Sequence, residues 1–131
     1  MKKGRIRPTE ESIWRYFGRA PQTLLNSRWH VIQATLDLYW AVIDAAHAAL
    51  MRAKEVPPTP EHVADLLEKV FVKNHQLEKK YVETMRKFYH LSKMITHREI
   101  KEIKGSVYDA YYQEADEFVK RMKRLVERGR A

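Results

Sequence analysis

From Leu38 to Met51 the sequence reads LYWAVIDAAHAALM, the most apolar stretch of the chain. Its apolar residues recur at spacings of three and four, which is the period of an α-helix with a buried face. A second apolar flank follows the same period, so the pattern predicts a central helix packed on more than one side. Asp44 and His47 interrupt the run, which is also shorter than the roughly 20 residues that span a membrane. We therefore expect the central helix of a soluble protein, from about 28 to 54.

Upstream of the central helix, a shorter helix is predicted at 9–19. Thr9 follows a proline and precedes two glutamates, a pattern that favours an N-cap and a first turn matched to the helix dipole. Gly18 and Pro21 are then expected to break or kink this helix. The prediction is two helices before residue 54, with a kinked continuation of the first toward Asn26 as the alternative.

Downstream of the central helix, two further helices are indicated. Thr59 followed by Pro60 is typical of a helix start and predicts a short helix at 60–73. A stripe of apolar residues then repeats at alternating steps of four and three from Leu77 to Ile95. This regular stripe predicts a long amphipathic helix.

A last helix is predicted after Gly105, where Ser106 and Asp109 resemble a capping box. No segment alternates apolar and polar residues as a half-buried strand does. Five helices joined by short connections predict an all-α fold, an antiparallel helical bundle. We expect about two-thirds helix or more, and no sheet.

The net charge of +8 is concentrated at the two ends of the chain. Residues 1–8 carry four cations and no acid, and residues 120–131 carry six cations and one acid. A chain of 131 residues is expected to form a single domain, at 9–128, between a basic tail at 1–8 and a short C-terminal tail at 129–131. Basic ends favour contact with nucleic acid phosphates, and they also keep a small protein soluble, so both interpretations stay open. The candidate contacts in the last helix are Lys120, Arg121, Lys123 and Arg124.

Residue types and spacings exclude several chemistries. The chain has no cysteine, so it forms no disulfide and offers no thiolate, which suits the reducing cytoplasm. Its four glycines are scattered and form no phosphate-cradling loop. Histidine and carboxylate spacings match neither HExxH nor the Glu-x-x-His pattern of di-iron bundles. We expect no metal, no cofactor and, because no apolar run follows the charged start, no secretory signal.

One face of the helix after Leu77 is basic. Arg86, His90, Lys93 and His97 fall within about 60° of one another if each residue turns the helix by about 100°. A histidine that titrates near neutrality can accept a proton, and a neighbouring cation can stabilise a phosphate. The solvated side of any amphipathic helix produces the same spacing. The face is therefore either a reactive site or a solvated surface.

The order of these elements resembles the HEPN domain superfamily. The resemblance is carried by the apolar helix WHVIQATLDLYWAVIDAAHAALMRAKE, the proline turn and short helix VPPTPEHVADLLEKVF, the helix LEKKYVETMRKFYHLSKMITHREI and the closing helix ADEFVKRMKRLVERG. Members of that superfamily are small helical bundles, commonly dimeric. Many are metal-independent endoribonucleases, and others bind RNA without cutting it or pair with nucleotidyltransferases as toxins and antitoxins.

The resemblance implies a homodimer that binds RNA or a toxin-antitoxin type of partner, with the basic face near its two-fold axis. In the family an arginine is followed, after four to six residues, by a catalytic histidine. Here three residues separate Arg86 from His90, and ten separate it from His97. His97 matches by its position on the helix, with Lys93 as the nearest cation, so these two are the catalytic candidates. The alternatives are a noncatalytic subunit paired with a nucleotidyltransferase and a small basic DNA-associated protein.

Overall fold

The computed structural model describes residues 9–129, and 81% of these residues are helical. The helices are α1 (Glu10–Arg52), α2 (Val63–Leu67), α3 (Lys79–Thr96) and α4 (Gly105–Arg128). Residues 9–129 contain no strand, so the prediction of an all-α fold is confirmed. The basic tail predicted at 1–8 lies outside the described residues, as do residues 130 and 131 of the predicted C-terminal tail.

The two helices predicted before residue 54 are one continuous helix, α1, so four helices replace the expected five. Thr9 caps it as predicted, since its side chain accepts a hydrogen bond from the Ser12 N–H at 3.0 Å. The expected break at Gly18 and Pro21 is absent, because both residues lie within the helix. Proline deprives the Phe17 carbonyl of its helical donor. This part of α1 is exposed, so water can hydrate that carbonyl.

The short helical region begins where it was predicted, with Thr59 as the N-cap and Pro60 in the first turn. It passes through three geometries, a 3₁₀ turn at Pro60–His62, the α-helix α2, and a π-helical segment at Glu68–Val72. Val63, Leu67 and Phe71 from this region enter the core. Thr59 and Pro60 line a groove together with the middle of α1. Residues 55–59 therefore run back along α1 before the short helical region starts.

The last helix begins two residues earlier than the predicted capping box implies. Gly105 is the first residue of α4 and Lys104 is its N-cap, with an extended backbone and no capping bond from its side chain. Ser106 already has helical geometry, so the predicted capping box is wrong. The stripe predicted for α3 is correct, since its members Tyr81, Phe88, Leu91 and Ile95 are buried.

Helices α3 and α4 are antiparallel, as predicted. Lys80 near the start of α3 pairs with Glu117 at 3.0 Å, and Lys87, two turns later, pairs with Glu114 at 2.6 Å. Moving forward along α3 therefore means moving backward along α4.

Helices α1 and α4 run in the same direction, which corrects the prediction of a purely antiparallel bundle. Arg28 of α1 pairs with Glu102, just before α4, at 3.4 Å. Arg52, the last residue of α1, packs against Gly129, the residue after α4. The extended return of residues 55–59 makes this arrangement possible, because it lets α2 start beside the middle of α1.

The core contains side chains from all four helices. Its largest fully buried members include Val42, Ile43, Leu50, Leu67, Met85, Phe88, Phe118 and Met122. In α1 the buried positions extend only from Ile32 to Leu50. Residues 10–29 contribute no buried side chain and extend past the end of the bundle. We call residues 10–29 the arm.

Candidate nucleic-acid interface

The catalytic candidates lie together at the end of α3. Lys93 and His97 are one helical turn apart, a spacing that places Cβ atoms about 5–6 Å from each other. His97 is the C-cap residue of α3, and its backbone N–H donates to the Lys93 carbonyl at 2.9 Å. His90 lies two turns before His97. All three side chains are exposed, as the sequence-based interpretation of this face requires.

Arg86, by contrast, is surrounded by carboxylates. Its Nη1 lies 2.8 Å from Asp65 Oδ1, its Nη2 lies 3.4 Å from Glu68 Oε1, and its Nε lies 3.8 Å from Glu83 Oε1. The hydrogen bond to Asp65, with the charges of the neighbouring acids, raises the pKa of Arg86 above its already high value. Arg86 thus links α3 to the α2 region, and its charge is balanced by carboxylates of the protein itself.

Arg121 is also engaged within the protein. It is 7% exposed, its Nε donates to Glu78 Oε1 at 2.9 Å, and a terminal nitrogen donates to the Gln76 carbonyl at 2.7 Å. The pKa of Glu78 is lowered, because its carboxylate accepts a hydrogen bond from the Glu78 backbone N–H and, as the next largest cause, one from Arg121. Arg121 fastens the connection between α2 and α3 to α4, and it is not accessible to a phosphate in this conformation.

The remaining cations of α4 differ in their surroundings. Lys120 pairs with Asp116 at 2.9 Å, and that hydrogen bond raises the pKa of the lysine. Lys123 and Arg124 are exposed, and within residues 9–129 no carboxylate lies at ion-pair distance from either. Lys123 and Arg124 are therefore the cations of this set that can meet a phosphate while every internal ion pair stays in place.

A groove of about 380 Å³ lies between α1, α3 and the start of the α2 region. Its walls are formed by Leu36, Tyr39, Trp40, Thr59, Pro60, Glu61, Tyr89, Ser92, Lys93 and Thr96. Lys93 Nζ lies 5.5 Å from the centre of the Tyr89 ring, within the range of a cation–π contact. Trp40 is 52% exposed and its ring centre is 5.1 Å from that of Tyr39. One candidate catalytic residue is thus part of an aromatic groove.

The sequence-based interpretation of the basic face missed Trp40. Trp40 belongs to neither apolar flank of the central helix. An aromatic residue outside both flanks was the sign in the sequence that this ring could be exposed. Burial raises the pKa of the Tyr39 phenol, so this hydroxyl stays protonated at neutral pH. The groove therefore combines a stacking surface and a cation.

Two side chains of α1 behave differently from one another. Asp44 is exposed. His47 is half-buried, and its Nε2 has no hydrogen-bond partner among the described residues.

Comparison of the chain with known families, curated proteins and solved structures finds no match. Between residues 9 and 129, no group of three or more histidine, aspartate and glutamate side chains is placed to hold a metal ion. Over the same residues, no helix combines the length and apolarity needed to cross a membrane.

Proposed function

We propose that this protein is an HEPN-like helical module that binds single-stranded RNA in the groove between α1 and α3. The observation that carries the proposal is the exposed ring of Trp40 in the same groove as the Lys93–Tyr89 contact. Proteins that bind single strands stack bases on aromatic rings and hold the backbone with cations. Paired bases inside a duplex do not offer their faces in this way.

The charges of the groove suggest how a strand is oriented. Glu61 lies on the wall formed by the start of the α2 region and repels phosphate. Lys93 lies on the opposite wall with the hydroxyl of Thr96, and within residues 9–129 no carboxylate is at ion-pair distance from it. We therefore expect the phosphate backbone to follow α3 from Lys93 toward His97, with a base over Trp40.

The HEPN resemblance adds cleavage to this proposal. In RNA cleavage without a metal, His97 removes the proton of the 2′-hydroxyl and the 2′-oxygen attacks the phosphorus to form a 2′,3′-cyclic phosphate, while the bond to the 5′-oxygen breaks and that oxygen takes a proton from water. Lys93 stabilises the charge that develops on the phosphate. Lysine acts as a point charge and lacks the two-pronged contact of arginine, so we expect slow cleavage.

Binding of a fluorescent single-stranded RNA, followed by anisotropy, tests the groove. Trp40→Ala removes the stacking surface and is expected to weaken binding by roughly tenfold, since one stacked base contributes about 1–3 kcal/mol. Lys93→Gln is expected to lower the salt dependence of log K by roughly 0.7, one single-strand phosphate contact. Tyr112→Ala and Lys79→Gln are the controls, because both residues are exposed and lie outside the groove.

The proposal is wrong if Trp40→Ala and Lys93→Gln bind as tightly as the unmodified protein. It is also wrong if a duplex binds better than the single strand. Loss of binding in the Tyr112→Ala or Lys79→Gln control as well would place the RNA elsewhere on the surface.

A further inference from the structure

The arm exposes a large apolar surface. Seven of its large side chains are between 48% and 70% exposed, namely Ile13, Trp14, Tyr16, Phe17, Leu24, Leu25 and Trp29. A soluble monomer rarely shows a continuous apolar patch of this size. This exposure indicates that the arm is covered in solution.

The exposed face of the arm continues the buried face of α1. With about 100° per residue, Trp14, Phe17 and Leu24 point to the same side of α1 as the buried Ile32 and Tyr39. Most polar residues of the arm point away from this side, whereas Glu10 and Arg28 lie on it. The arm thus presents to solvent the side of α1 that faces the core in the bundle, where α3 and α4 cover it.

We propose that the arm packs antiparallel against the arm of a second copy of this chain, around a two-fold axis near residue 19. In this register position 14 faces position 24, 13 faces 25, and 17 faces 21. Apolar side chains therefore meet apolar side chains at these positions. A two-fold axis requires such a self-complementary surface, because both copies use the same residues.

The charges of the arm favour this direction of pairing. In this register Glu10 of each copy faces Arg28 of the other, while within each chain Glu11 pairs with Arg15 at 3.2 Å and Arg28 with Glu102 at 3.4 Å. An antiparallel pair therefore places opposite charges at positions 10 and 28 at both ends of the contact. A parallel pair places acids against acids and cations against cations, which costs free energy.

A cavity of about 370 Å³ at the base of the arm gives the tip a place to bind. It is lined by Leu25, Arg28, Trp29, Arg98, Ile100 and Lys101. The proposed register brings the partner's Trp14 to this cavity. An aromatic side chain inserted into a pocket at each end of the contact is the kind of anchor that dominates the energy of interfaces.

The available area matches that of a stable dimer. Buried aromatic side chains contribute about 150–250 Å² each, so the half-exposed patch offers on the order of 800 Å² per copy. Specific interfaces of standard size bury about 800 Å² on each partner. This pairing places the two-fold axis in the arm, whereas the HEPN resemblance implied an axis near the basic face of α3. The pairing does not depend on the proposed RNA binding.

Light scattering of the full chain at tens of micromolar tests the pairing. We expect a mass twice the 15.6 kDa of one chain. Phe17→Asp places a charge at the centre of the contact in both copies and is expected to raise the dimer Kd at least about 100-fold. Gln22→Asp adds the same charge on the polar side of the arm and should leave the mass unchanged. Circular dichroism verifies that each variant keeps its helix content, since Phe17 is outside the core.

A charge exchange tests the direction. Chains with Glu10→Arg and chains with Arg28→Glu should each dimerise more weakly than the unmodified protein, because both ends of each homodimer then carry like charges. Their mixture should dimerise more tightly than either variant alone, because both ends are matched again. A monomeric unmodified protein at 50 μM, a dimeric Phe17→Asp variant, or a mixture that dimerises no more tightly than either variant alone would overturn the proposal.

Discussion

Arg121 of α4 reaches Glu78, just before α3, with 2.9 Å between its Nε and the carboxylate oxygen. The arginine side chain is 8% exposed and the glutamate side chain is 59% exposed. A guanidinium buried to this extent needs a partner, because an unpaired buried charge is strongly destabilising. The pair therefore belongs to the packing of the bundle, although the sequence placed Arg121 among the basic surface residues.

The pair predicts a pH-dependent contribution to stability. The pKa of Glu78 is lowered in the folded protein, so its contribution is complete above the unfolded pKa and is lost as the pH falls through the folded pKa. We expect Glu78→Gln to lower the free energy of unfolding by about 1 kcal/mol at pH 7, after allowance for solvent screening. Urea unfolding between pH 7 and acid pH measures the difference, which should disappear in acid. Glu127→Gln is the control, and a difference that is constant with pH would contradict the prediction.

Among the cations of α4, Lys123 and Arg124 are predicted to contribute to RNA binding, and Arg121 is predicted to contribute to stability. Replacing Lys123 and Arg124 together with glutamine should weaken RNA binding uniformly across sequences and lower the salt dependence by roughly 0.7 for each phosphate that is no longer bound. Arg121→Gln should instead lower the free energy of unfolding, because it breaks the hydrogen bonds to Glu78 and Gln76. Anisotropy titrations at several salt concentrations and urea unfolding distinguish the two effects. An Arg121→Gln variant with unchanged stability and a weaker salt dependence would refute the division.

The end of α3 is predicted to carry any cleavage activity. His97→Ala should abolish RNA cleavage with little change in affinity, because a general base acts on a proton in the transition state. Lys93→Arg should raise the cleavage rate by restoring a two-pronged phosphate contact. Cleavage of a labelled strand, resolved on a gel, measures both variants, and His90→Ala is the control on the same face. If the unmodified protein binds RNA and leaves it intact, the groove is a binding site only.

The sequence by itself determined the helical segments and most of the buried face of α1 and α3. This was possible because both depend on local properties, namely the spacing of apolar residues and the chemistry of caps such as Thr9 and Thr59. The same local reasoning predicted a break or a kink at Gly18 and Pro21. The break is wrong because helix breakers change the local free energy without deciding it, and the carbonyl left without a donor lies in an exposed part of the helix.

Only the tertiary structure decided which side chains are available for contact. Arg121 and Lys123 are equivalent by composition, and their roles differ because Glu78 and Gln76, more than 40 residues earlier in the chain, lie against one of them. Trp40 is exposed in a groove because residues 55–59 return along α1 and leave space beside it. The arm is uncovered because α3 ends and α4 begins near Arg28. These relations join residues distant in sequence, so no local pattern contains them.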